Sequence, residues 1–175
     1  MGFYYPASTI SHIQLFHISF ITSTFMSAER RKLYLAALSG DWKSVETMSN
    51  IQRIITNKKE TTLHIAALAN QEHFVKNLVR VLSDLTAENS YENTALTYAA
   101  ATGNVNIAKA MLERNRELAN LGKVKPLFMA ALLGHSKMVE YLYTHTKGIV
   151  HEWDEDEQDK LFITCVEGNL YGKHK

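Results

Sequence analysis

The residues best suited to chemistry in this chain are a lone cysteine, Cys165, and eight histidines scattered along its length. A cysteine nucleophile needs a base or a positive charge beside it, and the sequence around Cys165 offers neither. Cys165 therefore reads as a small buried hydrophobe. His12 and His17 stand five apart, which does not put them on one helical face. His145, His151, Asp154 and Glu155 have the side chains to gather round a metal, yet their spacing matches neither a zinc site nor a calcium loop. His64 and His135 belong to a recurring pattern and read as structural. No glycine-rich phosphate loop, nucleophile elbow or paired-carboxylate arrangement is visible. The sequence thus predicts no enzyme, no cofactor and no metal site.

What positions these residues is a repeat. Leu33, Leu63, Leu96, Leu127 and Leu161 recur at intervals of 30, 33, 31 and 34 residues. Three and four residues after each comes a small pair: Ala36-Ala37, Ala66-Ala67, Ala99-Ala100, Ala130-Ala131 and the degenerate Thr164-Cys165. Gly40, Asn70, Gly103, Gly134 and Gly168 follow as helix-ending positions, since Gly and Asn reach the left-handed conformation at little steric cost. Each period so opens with a short helix whose alanines admit a close neighbour.

A second helix follows, with apolar residues at helical spacing: Val45 and Met48; Phe74, Val75, Leu78 and Val79; Ile107, Ala108, Met111 and Leu112; Met138, Val139 and Leu142. Thr61, Thr94 and Asp159 suit helix caps, and Pro126 suits a first helical turn. One helix pair cannot bury its own apolar faces, so the units must stack.

Thr61–Ala67, TTLHIAA, with Thr94–Ala100 and Pro126–Ala131 as looser copies, resembles the Thr-Pro-Leu-His-x-Ala signature of the ankyrin repeat. The resemblance covers roughly Ser27 to Gly168. It implies an all-α ankyrin-repeat solenoid of helix-turn-helix units with short projecting hairpins, about four repeats and a truncated fifth. Only His64 keeps the signature histidine, and Asn70 replaces the usual glycine. Lys125–Val139 and Leu161–Tyr171 are further similar to plant ankyrin proteins that carry a C-terminal membrane-spanning PGG domain, a domain not found in these residues. That likeness implies the cytosolic part of a stress or defence signalling protein, set at the cytoplasmic face of a membrane only within a longer chain.

The same resemblance implies a function, which is non-covalent protein binding. The two residues after each small pair then line the concave groove: Leu38-Ser39, Leu68-Ala69, Ala101-Thr102, Leu132-Leu133 and Val166-Glu167. The row is apolar for exposed positions, which commonly marks a partner site. An external partner, or the remainder of a longer chain, is the favoured occupant; the chain's own Ile10–Phe25 is the rival. The hairpin edge adds Lys58, Lys59 and Glu60, then Tyr91, Glu92 and Asn93, then Lys123 and Lys125, and ends at an acidic run, Glu152–Asp159, expected on a projecting hairpin. Charge thus passes from mixed to acidic along the edge.

The rest of the chain sets limits. A net charge of +1 argues against a nucleic-acid-binding domain. A single cysteine and the lack of Asn-x-Ser/Thr sites fit a reducing, cytosolic setting. Residues 1–26 form a weakly ordered extension: Met1–Phe25 has no acidic or basic residue, and its apolar runs are too interrupted for a signal peptide or a membrane span. Met26-Ser27-Ala28-Glu29 reads as the head of a capped helix. Residues 27–168 form the array, with the first repeat as a polar cap, and 169–175 form a tail. The last repeat lacks room for its second helix, so the expectation is a fragment of a longer array. Such a fragment without independent activity is the alternative to a binding module.

Overall fold

Ser27 opens the first helix by accepting the Arg30 backbone N–H at 3.4 Å on its hydroxyl, with Glu29 in the first turn where the helix dipole favours an acid. The structure is a computed structural model and describes residues 27–146, 148 and 150–168. The expected extension over 1–26, its Ile10–Phe25 segment and the tail 169–175 lie outside the described residues. Eight α-helices are described: α1 Ala28–Ser39, α2 Thr62–Leu68, α3 Glu72–Val81, α4 Ala95–Thr102, α5 Val105–Arg114, α6 Pro126–Leu132, α7 Ser136–Thr146 and α8 Glu155–Glu167. Short 3-10 turns at Arg116–Asn120 and Val150–Glu152 join the later units. Among the described residues the β structure is one isolated bridge, Ile54 to Thr61, at the base of a hairpin loop.

The first helices α1, α2, α4, α6 and α8 stack side by side, and α3, α5 and α7 form a second row against them. All five anchor leucines are buried, as are the alanine pairs of the first four units. Small residues at these positions let neighbouring backbones approach, while the second row fills the core with Phe74, Leu78, Ile107, Met111, Met138 and Leu142. Phe74 is wholly buried, and cutting such a ring back to alanine costs about 3–5 kcal/mol. No helix among the described residues is long and apolar enough to cross a membrane.

The second, third and fourth units are each tied to the one before by a side chain just past the first helix. Gln71 Nε2 donates to the Leu38 carbonyl at 2.9 Å, and His135 Nε2 to the Ala101 carbonyl at 2.9 Å. In the same slot Asn104 Nδ2 donates to Asn70 Oδ1 at 2.7 Å. The Asn104 bond joins two side chains, whereas the Gln71 and His135 bonds satisfy helix-terminal carbonyls that would otherwise lack partners. They also explain two glycines twice over. Gly40 (φ +78°) and Gly103 (φ +71°) close their helices in the left-handed region, and a Cβ would meet Gln71 Oε1 at 2.5 Å or His135 Nδ1 at 2.6 Å. Asn70 adopts the same conformation at φ 60°, which its short polar side chain tolerates.

Five expectations need correction. The second helix anticipated around Val45 and Met48 does not form; the backbone makes successive turns, with Val45 and Glu46 N–H both donating to the Trp42 carbonyl at 3.0 Å. Asp41 Oδ1 accepts the Ser44 N–H at 3.3 Å and the Asp41 carbonyl accepts the Ser44 hydroxyl at 3.1 Å, local bonds that hold the turns together. Trp42 fills the gap instead, standing edge-on to Phe74 at 5.4 Å. Asp159 is not a cap but lies inside α8, which begins at Glu155 behind Asp154, whose carboxylate accepts the Glu157 N–H at 2.7 Å. The acidic run accordingly forms the first turn of a helix, where the dipole favours it, and not a projecting hairpin. Thr94 heads α4 without a side-chain capping bond, and Gly168 ends α8 at φ −75°, outside the left-handed region.

Candidate partner-binding groove

The residues expected in the groove are carried at the C-terminal ends of the stacked first helices, the last turn before each chain reversal. Leu68, Leu132, Leu133 and Val166 keep 42, 57, 49 and 49% of their surface exposed. Leu38, Ala69, Ala101 and Thr102 are half-buried. The two hydroxyl-bearing members bond back onto their own helices. Thr102 Oγ1 donates to the Ala99 carbonyl at 2.9 Å and Ser39 Oγ to the Leu35 carbonyl at 2.8 Å. Their donor capacity is used within their own helices, which leaves the strip apolar in character up to the exposed Glu167 at its end.

The strip is wider than the two positions per repeat inferred from the sequence. Leu35 and Ile163 are exposed and Met129 is half-buried, each three residues before Leu38, Val166 and Leu132 and so on the same helical face. The signal that finds them is this i, i+3 spacing. Ile65, at the equivalent place in α2, is buried, so the widening is uneven along the row.

The hairpin edge behaves differently from a free charged rim. Lys59 and Glu92 occupy the tips in the left-handed region, at φ 59° and 58°. Successive loops bond to each other: the Ser90 N–H donates to the Lys58 carbonyl at 2.8 Å and the Lys123 N–H to the Glu92 carbonyl at 2.7 Å. Lys58 Nζ sits 5.3 Å from the centre of the Tyr91 ring, and Lys123 Nζ lies 3.8 Å from Glu92 Oε1. Of the eight edge residues predicted before the acidic run, Lys58, Tyr91, Glu92 and Lys123 are therefore paired with each other. The exposed Glu92–Lys123 pair contributes little to stability, at most about 1 kcal/mol.

Behind the edge runs a buried polar seam that sequence reasoning missed. Tyr98 OH donates to Glu60 Oε1 at 2.8 Å and accepts from Asn89 Nδ2 at 2.9 Å, while Glu60 Oε2 takes the Thr56 hydroxyl at 2.8 Å. Burial, aided by the nearby Glu60 carboxylate, pushes the Tyr98 phenol far above its ordinary range. His64 is part of the same seam. Its Nε2 lies 3.1 Å from the Asn93 carbonyl, to which it donates, so Nδ1 accepts from the Thr61 N–H at 3.3 Å. Burial pushes the His64 imidazole below its usual value, against the opposing pull of the Asn93 carbonyl and Glu60. This histidine is neutral and structural.

The remaining candidates are brought into no common site. His145 Nδ1 bonds the Tyr141 carbonyl of its own helix at 2.9 Å. Cys165 is half-buried, and that burial raises its thiol pKa, which makes the reactive thiolate scarcer. Among the described residues no three His, Cys, Asp or Glu side chains are grouped to hold a metal ion.

A row of helix pairs with an exposed apolar face along the ends of its first helices defines a repeat solenoid, a class that uses such extended surfaces for binding. The family follows from direct comparison. The model for ankyrin repeats (3 copies) matches residues 33–120 and 63–152, and the chain belongs to that family. It is also similar to the ankyrin repeat and KH domain-containing protein mask-1 of Caenorhabditis elegans, with 28% identity over 153 residues. That match covers 82% of this chain but 6% of the worm protein.

Proposed function

We propose that the chain captures a partner protein by laying one of its segments, an amphipathic helix or an extended stretch, along Leu68, Ala69, Ala101, Thr102, Leu132 and Leu133. Lys58, Lys59, Tyr91, Glu92 and Lys123 flank that strip. The observation that carries this reading is the adjacent exposure of Leu132 and Leu133, at 57 and 49%, within a row of apolar helix ends. Burying what the two leucines expose contributes about 2–3 kcal/mol, roughly 30–150-fold in affinity, before ordering costs. Replacing both with aspartate should abolish capture of the partner in pull-downs while the helical circular dichroism stays intact. A variant that unfolds would make the leucines core residues, and one that still captures the partner would end the proposal.

The narrower reading, a cytosolic arm of a plant stress or defence signalling protein, rests on the similarity of Lys125–Val139 and Leu161–Tyr171 to the PGG-type family. Fractionation of plant tissue tests it, since a native protein found neither with membranes nor with membrane-bound partners would contradict it.

A further inference from the structure

Where the loop before α6 meets the start of α8 there is a cleft of about 170 Å³ whose walls include Lys123, Lys125, Lys160, Phe128, Trp153 and Glu157. Its aromatic floor is fixed. Trp153 is buried, its indole N–H donates to Asn120 Oδ1 at 2.8 Å, and its carbonyl accepts from Gln158 Nε2 at 2.7 Å. Lys125 is held too, its ammonium donating to the Asn120 carbonyl at 3.2 Å. Lys123 is 67% exposed and only loosely paired with Glu92, while Lys160 is exposed and precedes the buried Leu161, which fixes its place on the helix. Three lysines and one glutamate thus line the cleft beside Trp153 and Phe128, with Lys123 shared with Glu92 at 3.8 Å. A ligand suited to it carries one negative charge beside an apolar body.

We propose that this cleft is a second recognition pocket, which takes an aspartate or glutamate carboxylate and the neighbouring apolar side chain of the bound partner segment. The inference rests on the chain's being a protein-binding module and names the chemistry of its partner. A carboxylate fits better than a phosphate for two reasons. No arginine is present to offer the planar fork that phosphate favours, and Glu157 repels a dianion more than a monoanion. Asp154, Glu155, Asp156 and Asp159 are exposed and do not line the cleft. They weaken attraction from afar, so contact within the cleft must do the selecting.

The test uses the full chain and the probe peptide acetyl-Leu-Glu-Phe-Asp-Leu-amide, with its Gln/Asn twin and a phosphoserine version as comparisons. Binding is followed by backbone amide resonances and by the Trp153 indole N–H. The acidic peptide should bind about tenfold more tightly than the neutral twin. Its shifts should concentrate at residues 123–128 and 153–160, and Lys160→Glu should remove the preference. Lys160→Met separates lost charge from reversed charge and should lower the preference less. Equal binding of the twins, shifts centred elsewhere, or tighter binding of the phosphoserine version would overturn the assignment. The Leu132→Asp/Leu133→Asp chain should still bind the acidic probe, so loss of the groove and loss of the cleft are told apart.

Discussion

Gly103 and Gly134 make a matched pair for testing how the repeats are locked together. Both end a first helix in the left-handed region, at φ +71° and +73°. A Cβ on Gly134 meets nothing within 4 Å, whereas a Cβ on Gly103 falls 2.6 Å from His135 Nδ1. Gly134→Ala should therefore cost only the left-handed penalty, about 1–2 kcal/mol. Gly103→Ala carries that penalty and must also displace the His135 ring, which holds its 2.9 Å bond to the Ala101 carbonyl. Overpacking of this kind adds about 1–3 kcal/mol, and the lost hydrogen bond is part of it. Urea unfolding followed by circular dichroism reads both as shifts in midpoint. His135→Ala in the Gly103→Ala background should recover most of the difference, leaving the penalty seen at Gly134. If the two glycine variants unfold at the same urea concentration, or if the double variant shows a coupling below about 0.5 kcal/mol, the inter-repeat lock is not what the geometry implies.

Three other outcomes follow from buried groups. His64, whose pKa burial holds below the ordinary histidine value of about 6.5, binds fewer protons folded than unfolded, so stability should be level above that pH and fall as pH drops below it. Thermal unfolding across the weakly acidic range checks this, and the slope should shrink in His64→Gln. Tyr98→Phe strips Glu60 and Asn89 of the hydroxyl they share and should cost about 1–3 kcal/mol in chemical denaturation, with a wild-type midpoint counting against the seam. Cys165, half-buried and with its thiol pKa raised, should react with iodoacetamide more slowly than a free thiol at mildly alkaline pH, and equal rates would contradict its burial.

The repeat was legible because its markers act over short range. An anchor leucine and alanines three and four residues on share one helical face, so Leu63, Ala66 and Ala67 predict their own burial. The same logic located α3, α5 and α7 from their apolar spacing. It failed at Val45 and Met48, where two apolar positions are too short a pattern to specify a helix and the backbone makes successive turns. It also misplaced the start of α8. A run of acids suits both a solvated loop and a helix N-terminus, and the pairing of Asp154 with the Glu157 N–H is what selects the second. Of the candidate groove, the positions Leu68, Leu132 and Leu133 could be named from register, but their fractional exposure could not.

What the sequence determined by itself is the architecture. The period, the small pairs and the left-handed stops at Gly40, Asn70, Gly103 and Gly134 are properties of single units, each set by contacts within a few residues. Tertiary structure alone decided what happens between units. That Lys58 faces Tyr91, that Glu92 meets Lys123, that His135 reaches Ala101 and that Trp153 floors a lysine-rimmed cleft all depend on groups roughly a full repeat apart. Every unit offers similar side chains at its edge, and only stacking chooses which of them bond to a neighbour and which remain exposed to a partner.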